Sequence, residues 1–198
     1  MPQTDLRVVK TLRQIDRALL ECLAETPFEK ITVEQLCRAA LINRSTFYKY
    51  YQSKYDLMER YLQRTLDAFR RQVNVAFVNA SPDRIHHLIY QKNFETVLRF
   101  LYKHREEYIM LWSIPLEQGV FGRMVQVVHD AILETLPTPP EGPTLYADLY
   151  ARLFASDMMT MVRWWLRYED QVTAAEVQEL MNRNMKQGMF RTFRELMK

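Results

Sequence analysis

Three helix-start signals crowd into one short stretch of this chain, TVEQLCRAALINRSTFYKYYQSKYDL, from Thr32 to Leu57. Thr32 with Gln35 three residues on has the form of a capping box and predicts a helix from Val33. Val33, Leu36, Cys37 and Ala40 then fall at i, i+3, i+4 and i+7, one apolar stripe. Leu41 and Ile42 form a turn, and Asn43 is a suitable N-cap for a second helix of only two turns, over residues 44–51. Ser53 with Asp56 opens a third helix in the same way. A short helix, a tight turn and another short helix suit a helix-turn-helix.

The second of these helices has a distinctive surface. Phe47 and Tyr51, spaced i, i+4, can anchor it, which leaves Arg44, Ser45, Thr46, Tyr48, Lys49 and Tyr50 to point outward. From Asn43 to Tyr55 there are three basic residues and no acid. Arginine and lysine donate to guanine edges, hydroxyls reach bases or phosphates, and tyrosine reaches phosphate, so this set matches a major groove and its backbone.

The same stretch, continued to Met58, resembles the DNA-binding signature of TetR-type transcriptional regulators. It has the Thr-Val opening, the four-residue turn, a Thr-Phe-Tyr-Lys-Tyr-Tyr recognition helix and the Ser-Lys start of a fourth helix. Ile15 to Glu25 and Phe28 to Val33 extend the likeness, which covers roughly residues 7 to 62. Two positions depart from the pattern. Leu41 stands where the family usually has glycine, and a left-handed backbone there costs a non-glycine residue roughly 1–2 kcal/mol. Pro27 replaces another common glycine. The resemblance implies a three-helix DNA-binding domain over residues 1–62, followed by a larger helical domain over 63–198 for effector binding and dimerisation.

Four glycines and no strand-like alternation point to an all-α chain. The net charge is only +3, so DNA affinity must come from a local patch. No apolar run approaches the ~20 residues of a membrane span, and the charged start shows no secretory signal, which together predict a cytoplasmic protein. Cys22 and Cys37 each lie on an apolar stripe; they read as buried reduced thiols, with a redox-sensing pair as the alternative. There is no phosphate loop, nucleophile motif or zinc-ligand spacing, so neither an enzyme nor a cofactor is expected.

Taken in order, residues 1–5 form an arm and a helix spans 5–25, with Leu12, Ile15, Leu19, Cys22 and Leu23 inward. Arg7, Lys10 and Arg13 crowd its start, either beside the DNA or as a solvated face. The helix from Lys54 is expected to run to about residue 78, its N-terminus setting Lys54 and free N–H groups against a phosphate. Residues 79–83 (NASPD) break the chain. Helices then cover 84–103, 104–113 and 116–136, and PTPPEGP makes an exposed loop over 137–143. A helix over 145–168 and another from the Thr173/Glu176 box to about residue 196 complete the chain.

The helix over 145–168 is apolar on two sides, with Leu145, Leu149 and Leu153 on one stripe and Tyr146, Tyr150, Phe154, Met158, Met161 and Trp165 on another. Burying both sides in a domain this small requires a second copy, so the last two helices are expected to form a homodimeric four-helix bundle, with Gly188 permitting close approach. The aromatic and methionine residues of the second half are either core or the lining of a pocket for a small hydrophobic or aromatic effector. The candidates are Phe100, Tyr108, Trp112, Met124, Asp157, Met161, Trp164 and Trp165. Asp157 faces a cationic ligand or internal arginine, or else the dimer interface or water. His86, His87, His104 and His129 show no metal spacing and are expected at the surface.

The expected function is therefore a cytoplasmic homodimeric repressor, released from a palindromic operator in double-stranded DNA by a small-molecule effector. Thr32, Tyr50 and Lys54 would hold phosphates; Arg44, Ser45, Thr46, Tyr48 and Lys49 would lie nearest base edges. The rival is an interaction protein of the same fold, a ligand-less co-activator, which a recognition helix without basic and hydroxyl groups would favour.

Overall fold

A computed structural model describes residues 6–75, 89–115, 119–136, 142 and 144–188; of residues 89–93, 186 and 187 only the helical backbone is described. Among the described residues the secondary structure is nine α-helices, one 3-10 turn and no strand. The expected arm over 1–5, the break over 79–83, His86, His87 and nearly all of the proline-rich loop lie outside the described residues.

Helix α1, Leu6–Glu25, buries Ile15, Ala18 and Leu19 against the next helices, and Phe28 in the 3-10 turn Phe28–Lys30 closes the corner. Helix α2, Val33–Ala39, starts at a complete capping box: Thr32 N donates to Gln35 Oε1 at 2.7 Å, and Gln35 N donates to Thr32 Oγ1 at 3.2 Å. It ends in a Schellman motif, with Leu41 N donating to Arg38 O at 3.2 Å and Ile42 N to Cys37 O at 3.0 Å. That motif requires a left-handed residue at its corner, and Leu41 occupies it with φ 55°. Helix α3, Arg44–Tyr50, follows at once. Asn43 sits at its N-cap position, but its side chain makes no capping hydrogen bond.

Helix α4, Lys54–Arg70, is capped by Ser53 Oγ accepting from Asp56 N at 3.2 Å. It ends eight residues short of the expected limit at 78. Its stripe of Leu57, Tyr61, Leu62, Leu66 and Phe69 is followed by Arg70, Arg71 and Gln72, which offer no apolar side chain. The chain turns there, and Val75 is buried after it has left the helix. The expected boundary at residue 62 falls inside α4, which passes through it unbroken.

The second half comprises α5 (Ile89–Lys103), α6 (Arg105–Ser113), α7 (Val120–Thr135), α8 (Leu145–Arg167) and α9 (Ala174–Gln187). Gly119 is the N-cap of α7 with ψ 144°, so that helix does not cross it as the sequence pattern implied; residues 116–118 lie outside the description. Thr144 caps α8, and Thr173 with Glu176 forms a full capping box on α9. Gly188, expected inside the last helix, instead ends α9 with φ 80°. Residues 189–198, which the sequence placed largely in that helix, are outside the described set.

One continuous core joins all of these helices, and α7 and α8 share its most extensive packing, around Met124, Val128 and Ile132 on one side and Ala155, Met159 and Val162 on the other. Polar ties connect α4 to its neighbours. Arg64 pairs with Asp16 on α1 at 2.5 Å, Arg123 on α7 reaches both carboxylate oxygens of Glu59 at 2.9 and 3.0 Å, and Tyr61 donates to Glu107 on α6. Burial, reinforced by that hydrogen bond, pushes the Tyr61 phenol well up, so it stays a proton donor.

His129 departs from the expected surface position. It is buried on α7, with Nε2 2.9 Å from Asp148 on α8 and Nδ1 2.9 Å from Asp130 and 3.0 Å from Gln126. Its helical position is inward, and the desolvation of its polar ring is offset by these partners. His104 is half-buried against Phe100, with ring centroids 4.9 Å apart.

Candidate nucleic-acid interface

Helix α3 is held rigidly by two of its aromatic residues. Phe47 is fully buried and Tyr51, at its C-cap, nearly so, with ring centroids 5.7 Å apart. Tyr48 packs edge-on to Phe47 at 5.5 Å, yet half of its surface stays exposed. Arg44, Ser45 and Lys49 are exposed beside it. The Arg44 guanidinium hydrogen-bonds the Tyr48 side chain, which raises its already high pKa. Lys49 Nζ lies 5.7 Å from the centre of the Tyr50 ring. Thr46 and Tyr50 are half-buried, and Tyr50 packs partly against the core, so these two project less than the helical period implied.

Two residues expected at phosphates are differently engaged. The Thr32 hydroxyl is exposed but committed to its cap, accepting from Gln35 N and donating to Gln35 Oε1 at 3.1 Å. Lys54 is the clearer correction. Its ammonium donates to the carbonyls of Phe28, Glu29 and Ile31 at 3.0, 2.7 and 2.8 Å, which uses all three of its N–H bonds. It also lies over the rings of Phe28 and Tyr55, at 5.1 and 5.2 Å. These carbonyls belong to the 3-10 turn and its C-cap Ile31, where a short helix leaves carbonyl oxygens open to a further donor, and the distance along the chain hid the pairing. Of the backbone N–H groups in the first turn of α4, that of Asp56 is taken by Ser53 Oγ.

The electrostatics of the face are simple. Asp56, the first acid after α3, accepts from Gln52 N at 2.9 Å and from Arg60 Nε at 2.8 Å, and those bonds hold its carboxyl below the usual range. Glu34 on α2 is paired with Arg38 at 3.2 Å. Arg44 and Lys49 therefore face solvent with no carboxylate partner among the described residues, on a helix whose own orientation is fixed by the core.

Residues 15–61 match the family described as bacterial regulatory proteins, tetR family. Over that segment the sequence is similar to the TetR family. A curated relative, the uncharacterized HTH-type transcriptional regulator YxbF of Bacillus subtilis (strain 168), is 22% identical over 163 residues. That alignment covers 82% of this chain and 41% of the relative, so the chain spans about two fifths of the length of the curated relative it matches. Two solved structures share the fold. A TetR transcriptional regulator from Streptococcus agalactiae 2603V gives a TM-score of 0.61 at 20% identity, covering 91% of this chain and 96% of that one. A TetR-like transcriptional regulator from Rhodococcus sp. RHA1 gives 0.57 at 16% identity, covering 96% and 99%.

The eight candidate effector residues do not come together. Phe100, Tyr108, Trp112 and Met124 form one packed column: Phe100 and Tyr108 centroids are 6.0 Å apart, Tyr108 and Trp112 6.2 Å, and Trp112 Nε1 donates to Met124 Sδ at 3.2 Å. Tyr108 and Met124 are fully buried core. Asp157 and Met161 lie apart, both in contact with Asn184 of α9, whose Nδ2 is 3.7 Å from Met161 Sδ. Burial pushes the Asp157 carboxyl up, partly offset by its hydrogen bond to Asn184, and no arginine is among the groups acting on it. Trp165 is buried, donates to Val172 O at 2.9 Å and lines a cleft of about 350 Å³ between α5, α8 and α9. Trp164 is exposed and shares a different cleft, of about 560 Å³, with Trp112. Helical spacing marked these residues as inward but carried no information on which of them would share a space.

Proposed function

We propose that this chain is a homodimeric DNA-binding transcriptional repressor, released from a near-palindromic operator when a small molecule binds its second domain. The observation that carries the reading is α3: a short helix pinned by Phe47 and Tyr51 and presenting Arg44, Ser45, Tyr48 and Lys49 with no acid among them. Those four, with Thr46 at the edge, are assigned to the major groove, and Tyr50 and the exposed start of α2 at Thr32 to the flanking backbone. Lys54 is left out of the contacts, since its donors are used within the domain. Residues 1–62 would carry DNA binding and residues 63–198 effector binding and dimerisation.

Support for the dimer comes from α8. Its core side is Ala151, Ala155, Met158, Met159 and Val162, whereas Leu145, Tyr146, Leu149, Tyr150 and Leu153 stand exposed on the first half of the same helix. An apolar face of that length is covered by a second copy in this reading. Two recognition helices would then enter successive major grooves about 34–36 Å apart. The ties of α4 to α1, α6 and α7 give effector binding a route to the helix spacing. Among the described residues no helix is long and apolar enough to cross a membrane, which fits the cytoplasmic location proposed.

The test is binding of the purified protein to DNA flanking its own gene, against random DNA of equal length, across a range of salt. Tight binding to a palindrome with a steep salt slope is the expected result. A folded dimer that binds both DNAs alike across that range would sink the repressor reading.

A further inference from the structure

The cleft between α6 and α8 has a chemistry unlike that of the cleft on the other side of α8. Its volume is about 560 Å³, and its walls include Ile109, Trp112, Arg163, Trp164, Arg167 and Tyr168, with no carboxylate among the lining residues. The cleft between α5, α8 and α9, by contrast, is lined by Glu95 and Glu169 as well as by Arg99.

Arg163 is held in place from the core outward. Trp112 is fixed through Nε1 to buried Met124, and Phe121 packs edge-on to Trp112 at 5.7 Å. The Arg163 guanidinium lies over the Phe121 ring, 3.7 Å from its centroid. That contact uses the face of the guanidinium and leaves its in-plane N–H groups able to fork onto an anion. Arg167 stands one turn further along the same helix. Trp164 and Tyr168 supply two rings with centroids 5.5 Å apart, both partly open to solvent.

Neither arginine has a carboxylate partner among the described residues, whereas Arg99, Arg105 and Arg123 are paired with Glu95, Glu169 and Glu59. Two unmatched guanidiniums beside open aromatic rings select for a ligand with a flat apolar body and one negative group. We propose that the α6–α8 cleft is a binding site for a small aromatic anion. This deepens the effector part of the function proposed above and rests on that reading only for its consequence at DNA.

The test uses the full chain and a matched pair of probes, 2-naphthoate and 2-naphthylmethylammonium, measured by calorimetry without DNA. Naphthoate should bind at least about ten-fold more tightly than the cation of the same ring system. The double variant Arg163→Gln/Arg167→Gln should lose about ten-fold or more in naphthoate affinity with an unchanged thermal melt. Arg99→Gln, which removes a charge from the other cleft, should leave it unchanged. Equal affinity for the two probes, no binding at all, or an equal loss in Arg99→Gln would overturn the site. Trp164 lies on the helical line of the exposed Tyr150 and Leu153, so a second copy is the competing occupant. Binding that emerges only when the dimer is dissociated would assign the cleft to that copy and overturn the proposal. Naphthoate bound without any change in operator affinity would uphold the site and remove its effector role.

Discussion

The ammonium of Lys54 donates to the carbonyl oxygen of Glu29 at 2.7 Å, clamping the first turn of α4 onto the corner between α1 and α2. Bonds to Phe28 O and Ile31 O complete the clamp. Lys54→Met keeps the aliphatic stem and removes the donors, leaving these carbonyls without their cation. Stability should fall by about 2–3 kcal/mol, read as a lower urea midpoint at unchanged slope. At temperatures where the variant is fully folded, its DNA affinity should stay close to wild type. A large affinity loss in the folded variant would return Lys54 to the phosphate contacts.

Leu41 holds the left-handed corner of the Schellman motif with its side chain almost entirely in solvent, so it offers little packing in return for the strain. Leu41→Gly relieves roughly 1–2 kcal/mol of backbone cost and gives back part of it as unfolded-chain entropy. A net gain of about 0.5–1 kcal/mol is expected, with DNA binding unaffected. A destabilised Leu41→Gly would mean that the leucine makes a contact beyond this chain.

Asp56 accepts from Gln52 N and Arg60 Nε, which together hold its carboxyl below its ordinary value of 3.8. The folded state therefore binds this proton more weakly than the unfolded chain does. The associated stability is present above pH 3.8 and is lost as pH falls through the lower folded value. Asp56→Asn should flatten that acid limb in thermal melts between pH 5 and 2, and an unaltered limb would place the effect in other carboxylates.

Lys49 and Arg44 stand exposed on α3 without acid partners among the described residues. Lys49→Ala should cost about 1–3 kcal/mol on the operator, and relax selectivity at one base pair, if it reads a base. Equal losses on operator and random DNA, with a shallower salt slope, would reassign it to the phosphate backbone.

Leu149 and Leu153 lie on the exposed face of α8. Replacing both by Glu should raise the dimer dissociation constant by about 100-fold or more, since each change acts twice across a two-fold interface. Sedimentation velocity at micromolar concentration reads the outcome. A wild-type monomer there would rule out the dimer.

The helix-turn-helix was legible because its signals are short-range. Capping boxes act over three residues and the apolar stripes over one or two turns, so Thr32 with Gln35, Phe47 with Tyr51 and Thr173 with Glu176 stand where their spacing put them. The left-handed corner at Leu41 was readable only through the family resemblance, which usually has glycine at that position. The outward set on α3 was legible in outline, with Thr46 and Tyr50 drawn inward by a core that no helical wheel contains.

What the amino-acid order determined alone, then, is the sequence of helices, most of their starts, and the basic, hydroxyl-bearing face of α3. Tertiary structure decided where each inward residue went. Lys54 found carbonyls 23 to 26 residues away, His129 found Asp148 across two helices, and α4 stopped where Val75 could reach the core by leaving the helix. Periodicity says that a side chain leaves water, but not which partner it meets, because that partner is set by the crossing of helices distant in the chain. For the same reason the aromatics of the second half divided among a packed column and two separate clefts.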